Sequence, residues 1–138
     1  MAFVLAMPGF LLVSIGLAAL LVYLPFLVVG YGRFAVGYDQ AAPRAMLAKL
    51  PPYAQRATWA HENAFESIIL FAPAALMAYV TQQQSAVALG AAIAYLIART
   101  LYPVAYILNL PIGRSLMFAV ANLSTFTLYF LSCRSALM

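Results

Sequence analysis

The chain has 138 residues, of which 67% are hydrophobic and 7% charged, with a mean hydropathy of +0.98. Soluble domains carry about 25% charged residues, and seven basic with three acidic side chains cannot make a surface of this size wettable. Lipid must therefore solvate most of the molecule, which excludes a soluble domain. The net charge of +4, small and scattered, argues against nucleic acid as a partner.

A membrane-spanning helix takes about 20 apolar residues, so four spans with short connections nearly use up the chain. Residues 1–138 read as a single all-α transmembrane domain, a four-helix bundle with helices expected at about 10–31, 53–80, 85–107 and 114–132. Residues 1–32 carry no charge. This apolar run is longer than a signal-peptide core and has no charged n-region, so it is expected to be a retained first helix. Residues 33–55 form the longest connection, broken by Gly37, Asp39, Pro43, Pro51 and Pro52. The Pro-Pro pair suits a helix entrance, where a missing N–H is harmless.

The second span ends at the polar turn Thr81-Gln82-Gln83-Gln84. The third is expected to bend near its end at Pro103. The loop Asn109-Leu110-Pro111-Ile112-Gly113 then leads into the fourth. Short loops make helices two to four antiparallel neighbours. The lone Cys133 permits no intrachain disulfide, and no metal site is expected.

Orientation follows from the basic residues. The first connection holds Arg33, Arg44, Lys49 and Arg56 against Asp39, Arg114 belongs to the third, and the second has no charge. The positive-inside tendency places the first and third connections in the cytoplasm and both termini outside, with Arg134 as one opposing charge.

Charged groups inside a span cost roughly 2.5–3.5 kcal/mol each even on the lenient insertion scale, and persist when they face a bundle interior or a ligand. At about 100° per residue, Arg56, Asn63 and Glu66 share one face of the second helix about 80° wide. Trp59 lies within that face, Glu62 at its edge, and His61 on the far side. On the third helix Tyr95, Arg99, Tyr102 and Tyr106 recur at spacings of four, three and four, the pattern of a single helical face. The fourth helix is expected to open with Arg114-Ser115, where backbone N–H groups are unpaired. Arg56 or Arg114 taken alone reads better as an interfacial snorkelling residue. Tyr31, Tyr53 and Tyr129 read as interfacial anchors, and His61 as a packing or interhelical hydrogen-bonding residue. Taken together, an anion, an amide and three arginines on adjoining helices describe a site for a small, multiply charged ligand.

These residues resemble a known family. The stretch from Gln55 to Glu66, with Arg56 followed by Ala60-His61-Glu62-Asn63 and then Glu66, is similar to the second-helix signature of the membrane-associated proteins in eicosanoid and glutathione metabolism (MAPEG). Arg99, Tyr102 and Tyr106 resemble its third-helix pattern, and Arg114-Ser115 the start of its fourth helix. The resemblance covers essentially the whole chain and is closest to microsomal glutathione transferase-like members. It implies a homotrimer with glutathione as co-substrate, bound between subunits near the cytoplasmic side. By position Arg33, Arg56, Asn63, Glu66, Arg99, Tyr102 and Tyr106 would hold glutathione, while Arg114 and Ser115 would face the thiol.

The chemistry of glutathione suits such a set. Arginines take its carboxylates, Glu66 suits its ammonium, and the reactive thiolate wants a cation nearby. A lipophilic electrophile or hydroperoxide would come from the bilayer. Trp59 and Glu62 stand where the prostaglandin-forming branch has arginines, and Phe118 where it has a tyrosine, which argues against a dedicated prostaglandin synthase. The expected function is a membrane-bound glutathione transferase or peroxidase. The alternative is a non-catalytic trimer binding glutathione or membrane lipid. A small drug exporter ranks third, because the first helix has no acid for proton coupling.

The charge asymmetry generates a test of topology. In single-cysteine variants Arg44→Cys and Gln83→Cys, an impermeant thiol reagent applied to intact cells is expected to label position 83 and spare position 44. The reverse pattern overturns the orientation.

Overall fold

The computed structural model describes residues 7–138; the N-terminal end, expected on the non-cytoplasmic side, lies outside the described residues. Four helical stretches are long and apolar enough to cross a membrane, over Pro8–Ala35, Pro52–Val80, Ala86–Ile107 and Pro111–Ala136. The described residues contain helices and no strand, which agrees with the expected all-α bundle.

The first span is two helices, α1 (Met7–Val22) and α2 (Leu24–Ala35), where one unbroken helix over 10–31 was expected. Pro25 supplies the reason. It has no N–H to donate to the carbonyl four residues back, and the turn before it tightens so that the Tyr23 N–H donates to the Leu20 carbonyl at 3.1 Å. The span also continues four residues further than expected, carrying Arg33 in the last turn of α2.

The long connection is not irregular throughout. Asp39 Oδ1 accepts from the N–H groups of Ala41 and Ala42, and a short 3-10 helix follows at Pro43–Lys49. Met46 and Leu50 anchor this segment by burial.

The remaining spans are α3 (Pro52–Val80), α4 (Ala86–Ile107) and α5 (Pro111–Ala136). Pro52 opens α3 and Pro111 opens α5, where a proline N–H would be unpaired anyway. Ser85 caps α4 by accepting the Ala88 N–H at 3.1 Å. Helices α3 and α4 end alike, with Gln82 (φ 53°) and Asn109 (φ 57°) in the left-handed region. At each end two backbone bonds close the helix: Gln83 to Ala78 and Gln82 to Tyr79, then Leu110 to Ala105 and Asn109 to Tyr106. These are Schellman closures, which satisfy the last carbonyls and reverse the chain within two residues.

The interior is built from small residues. Ala54, Ala57, Ala60 and Ala64 line the buried face of α3, with Ala74, Ala75 and Ala78 further along. Ala88, Ala91, Ala92 and Ala98 do the same on α4. Lipid tails are as apolar as any side chain, so helices in a bilayer associate through close van der Waals packing, which alanine and glycine permit. One large pair fills the centre. Phe71 and Tyr95 stack at 3.6 Å with rings 4° from parallel, and the Tyr95 hydroxyl is 3.0 Å from that of Ser67.

Helix α2 packs tightly on α3 at Gly32, where an added Cβ would sit 2.5 Å from the Cβ of Ala54. Neither atom can swing aside, so Gly32→Ala must push the helices apart. We expect a destabilisation of about 1–3 kcal/mol, typical of overpacking, read as a lower thermal midpoint in detergent. Gly30→Ala is the control, since a Cβ there meets nothing within 4 Å; an equal loss at both positions would disprove the close approach.

Candidate functional site

Arg99 is the one charged side chain that is fully buried among the described residues, at 5% exposure. It lies in the middle of a membrane span, and two groups compensate it. Its Nη1 donates to Asn63 Oδ1 at 3.0 Å, and its guanidinium lies over the Tyr102 ring at 4.6 Å. Asn63 then passes the interaction on, its Nδ2 donating to Glu66 Oε2 at 3.1 Å. An amide is the side chain suited to this place, because it accepts from a cation at one end and donates to an anion at the other. Glu66 itself is exposed at the surface of the single chain.

The next turn of α4 brings a second cation–aromatic pair. Tyr102 and Tyr106 meet edge to face at 5.7 Å, and Arg114 from α5 lies over the Tyr106 ring at 4.7 Å. Tyr102, Arg114, Ser115 and Phe118 line a small open pocket of about 250 Å³. Arg99, Asn63, Glu66, Tyr102, Tyr106, Arg114 and Ser115 thus form one contiguous run across α3, α4 and α5. Trp59 joins it from α3, half exposed, with its ring 6.4 Å from that of Tyr106.

The structure bears on three residues that the sequence singled out. First, Arg114 does not open its helix. The helix begins at Pro111, and the Arg114 N–H already donates to the Leu110 carbonyl at 2.9 Å. Its backbone therefore offers no free donor, and whatever Arg114 contributes comes from the guanidinium. Second, Tyr95 is part of the core and not of the polar run: stacking on Phe71 and the Ser67 contact account for it. Third, Arg56 has a structural partner. Its Nε donates to the Ile107 carbonyl at 3.0 Å, placing a cation on the last turn of α4, where it satisfies an orphan carbonyl and complements the helix dipole.

Arg33 does not line the pocket of Tyr102, Arg114 and Ser115 within this chain. It lines a cavity of about 500 Å³ on the opposite side of α3, between α2 and the 3-10 segment, with Arg44, Thr58, His61 and Glu62. His61 is an interhelical hydrogen-bonding residue, as its position on the far face suggested. Its Nδ1 lies 2.7 Å from the Val22 carbonyl, at the break between α1 and α2. A carbonyl only accepts, so Nδ1 carries the hydrogen.

The sequence reading missed this cavity. Thr58, His61, Glu62 and Phe65 share a helical face by simple periodicity, which was a usable signal. Arg44 had none, because only the fold of the connection brings it there.

Neither a curated protein nor a solved structure gives a significant match to the chain. The model of the MAPEG family matches residues 10–134, a span that contains every helix from within α1 to the last turn of α5 and all the residues of the polar run. With four spans, and with polar residues at the positions from which the resemblance was drawn, the chain belongs to the MAPEG family.

Proposed function

We propose that the protein is a membrane-bound glutathione transferase or peroxidase, working as a homotrimer, that presents glutathione thiolate to lipophilic electrophiles or hydroperoxides from the bilayer. The MAPEG family contains glutathione transferase-like enzymes. The observation that carries the reading is the hydrogen-bonded relay Arg99–Asn63–Glu66 beside the Tyr102, Arg114 and Ser115 pocket. Glutathione has two carboxylates, an ammonium and a thiol, and the run offers an anion, cations and hydroxyls in sequence along one surface. Glu66 is open to an ammonium while Asn63 holds its carboxylate in place. Phe118, exposed beside Ser115, gives the apolar side from which a lipophilic partner would approach.

Arg114 is the thiol-activating group in this reading, with Ser115 as a hydroxyl donor. A free thiol has a pKa of about 8.5, so half-ionisation near neutral pH needs a shift of about 1.5 units, or about 2 kcal/mol. One charge-assisted hydrogen bond supplies about 1.5–3 kcal/mol, so a single arginine suffices. The paired N–H of Arg114 makes the side chain the whole of that contribution.

The exposure of Glu66 and of the aromatic surface around it supports the trimer, since one copy leaves these polar groups facing lipid. The alternative, a non-catalytic trimer that binds glutathione or lipid, rests on Trp59 and Glu62 at positions where the prostaglandin-forming branch has arginines.

Two variants test the reading. Glu66→Gln keeps the bond to Asn63 possible and removes the charge. It is expected to weaken glutathione binding, read as reduced thermal stabilisation of the solubilised protein by glutathione. Unchanged stabilisation removes Glu66 from the site. Arg114→Ala is expected to cut turnover of a chloronitrobenzene acceptor at neutral pH by about 10–100-fold, because each 1.36 kcal/mol is tenfold in rate. The bound thiol then titrates higher, so raising the pH should recover much of the loss. If the absorbance of bound thiolate follows pH identically in wild type and Arg114→Ala, the arginine does not activate the thiol. Stabilisation by glutathione without any turnover would favour the non-catalytic alternative.

A further inference from the structure

The corner that joins α4 to α5 carries both members of the second cation–aromatic pair. Tyr106 lies in the last turn of α4 and Arg114 in the first turn of α5, with the guanidinium over the ring at 4.7 Å. The distance between them is therefore set by how residues 107–113 turn. Most of this corner is closed by its own backbone. The Leu110 N–H donates to the Ala105 carbonyl at 2.8 Å, the Asn109 N–H to that of Tyr106 at 3.1 Å, and the Arg114 N–H to that of Leu110 at 2.9 Å.

The Ile107 carbonyl is the exception. Its helical donor would come from position 111, but Pro111 has no N–H, and the Leu110 N–H is spent on Ala105. The donor comes from α3 instead, where Arg56 Nε reaches Ile107 across 51 positions of sequence at 3.0 Å. Bonds from a charged donor are among the stronger ones, so this contact ties the entrance of α3 to the corner. Trp59, one turn further along α3, brings its ring to 6.4 Å from that of Tyr106, and Tyr102 meets the same ring edge to face at 5.7 Å. Tyr106 is thus braced by side chains from three helices, and the carbonyl of the residue after it is held by Arg56.

We propose that Arg56 is a positioning residue for Arg114. By holding the Ile107 carbonyl it fixes the α4–α5 corner, and the corner fixes the Arg114 guanidinium against Tyr106 at the mouth of the pocket shared with Ser115. The inference rests on the reading of Arg114 as the thiol-activating group and assigns Arg56 a part in the same step without contact with the ligand. Its Nε, one arm of the side-on fork by which an arginine takes a carboxylate, is already occupied. Small displacements matter here, because a charge-assisted hydrogen bond to a thiolate depends on both distance and angle.

The test compares Arg56→Met, which has no donor, with Arg56→Lys, which keeps a charged one, in the full chain in mild detergent. Arg56→Met should lower turnover of the chloronitrobenzene acceptor at saturating glutathione by about tenfold, a fraction of the roughly hundredfold that misplacing a group by about 1 Å can cost. Thermal stabilisation by glutathione should stay as in wild type. Arg56→Lys should recover most of the lost turnover, which separates the contact from the fold. In an Arg114→Ala background Arg56→Met should cost nothing further, because residues that act as one unit are not additive. An undiminished loss in that background overturns the proposal, since a long-range effect of the Arg56 charge on the thiol would persist there. Weaker stabilisation by glutathione in Arg56→Met makes Arg56 a direct ligand and also overturns it. Trp59, the lone tryptophan, reads the corner without glutathione. Its fluorescence should become more open to acrylamide quenching in Arg56→Met and return toward wild type in Arg56→Lys, and quenching identical in wild type and Arg56→Met overturns the proposal. A wild type with neither turnover nor stabilisation by glutathione defeats the transferase reading by itself, and the fluorescence still decides whether Arg56 holds the corner.

Discussion

Burial of the Arg99 guanidinium in the middle of a membrane span is the constraint on which the polar architecture depends. A cation at that depth is tolerated only where partners replace its hydration, and here they come from two directions. Asn63 on α3 accepts its hydrogen bond and Tyr102 on α4 presents a ring face. The first fixes the rotation of α3 against α4, and the second fixes the turn of α4 that faces α5. Glu66 sits where Asn63 can share its amide, and Tyr106 sits one turn on, where Arg114 covers it. Neighbouring charges are thus coupled through neutral groups, an amide in one case and two phenol rings in the other. Side chains in such a chain cannot be repositioned singly.

Packing makes that arrangement possible. The alanine faces of α3 and α4 let backbones approach closely, and close approach brings short side chains such as Asn63 within reach of a neighbouring helix. Gly32 plays the same part for α2, with Arg33 following directly after it. Proline acts by subtraction. Pro25 breaks the first span and leaves the Val22 carbonyl next to His61, so a helix defect becomes an anchor between helices. Pro103 lies within α4 without ending it; the missing N–H falls one turn after Arg99, and the helix still runs to Ile107, where Arg56 closes its last turn.

Helix α3 consequently carries polar residues on both sides of its alanine seam. One bears Asn63 and Glu66, the other Thr58, His61 and Glu62. The departures at Trp59 and Glu62 fall one on each. Trp59 stands beside Tyr106 and enlarges the aromatic wall of the first. Glu62 lines the second together with Arg33 and Arg44. Trp59 and Glu62 therefore border different surfaces, although they lie only three residues apart.

Composition and periodicity alone determined the solvent, the number of spans and the grouping of polar residues, because each rests on local properties of the chain. Apolar content forces lipid exposure, and 100° per residue puts Asn63 with Glu66 and Tyr102 with Tyr106 on common faces whatever surrounds them. The second span was legible almost to the residue, from the Pro-Pro entrance to the glutamine turn. What tertiary structure decided were pairings between elements. Periodicity could not tell that Arg56 spends its Nε on a helix end, that Tyr95 belongs to the core, or that the Arg114 N–H is already bonded within a helix begun at Pro111. Nor could it place Arg33 beside Arg44 and away from the pocket of Arg114. A residue's face is set by its own helix, but what meets that face is set by how the helices pack, and for Arg44 by the course of a connection with no period at all.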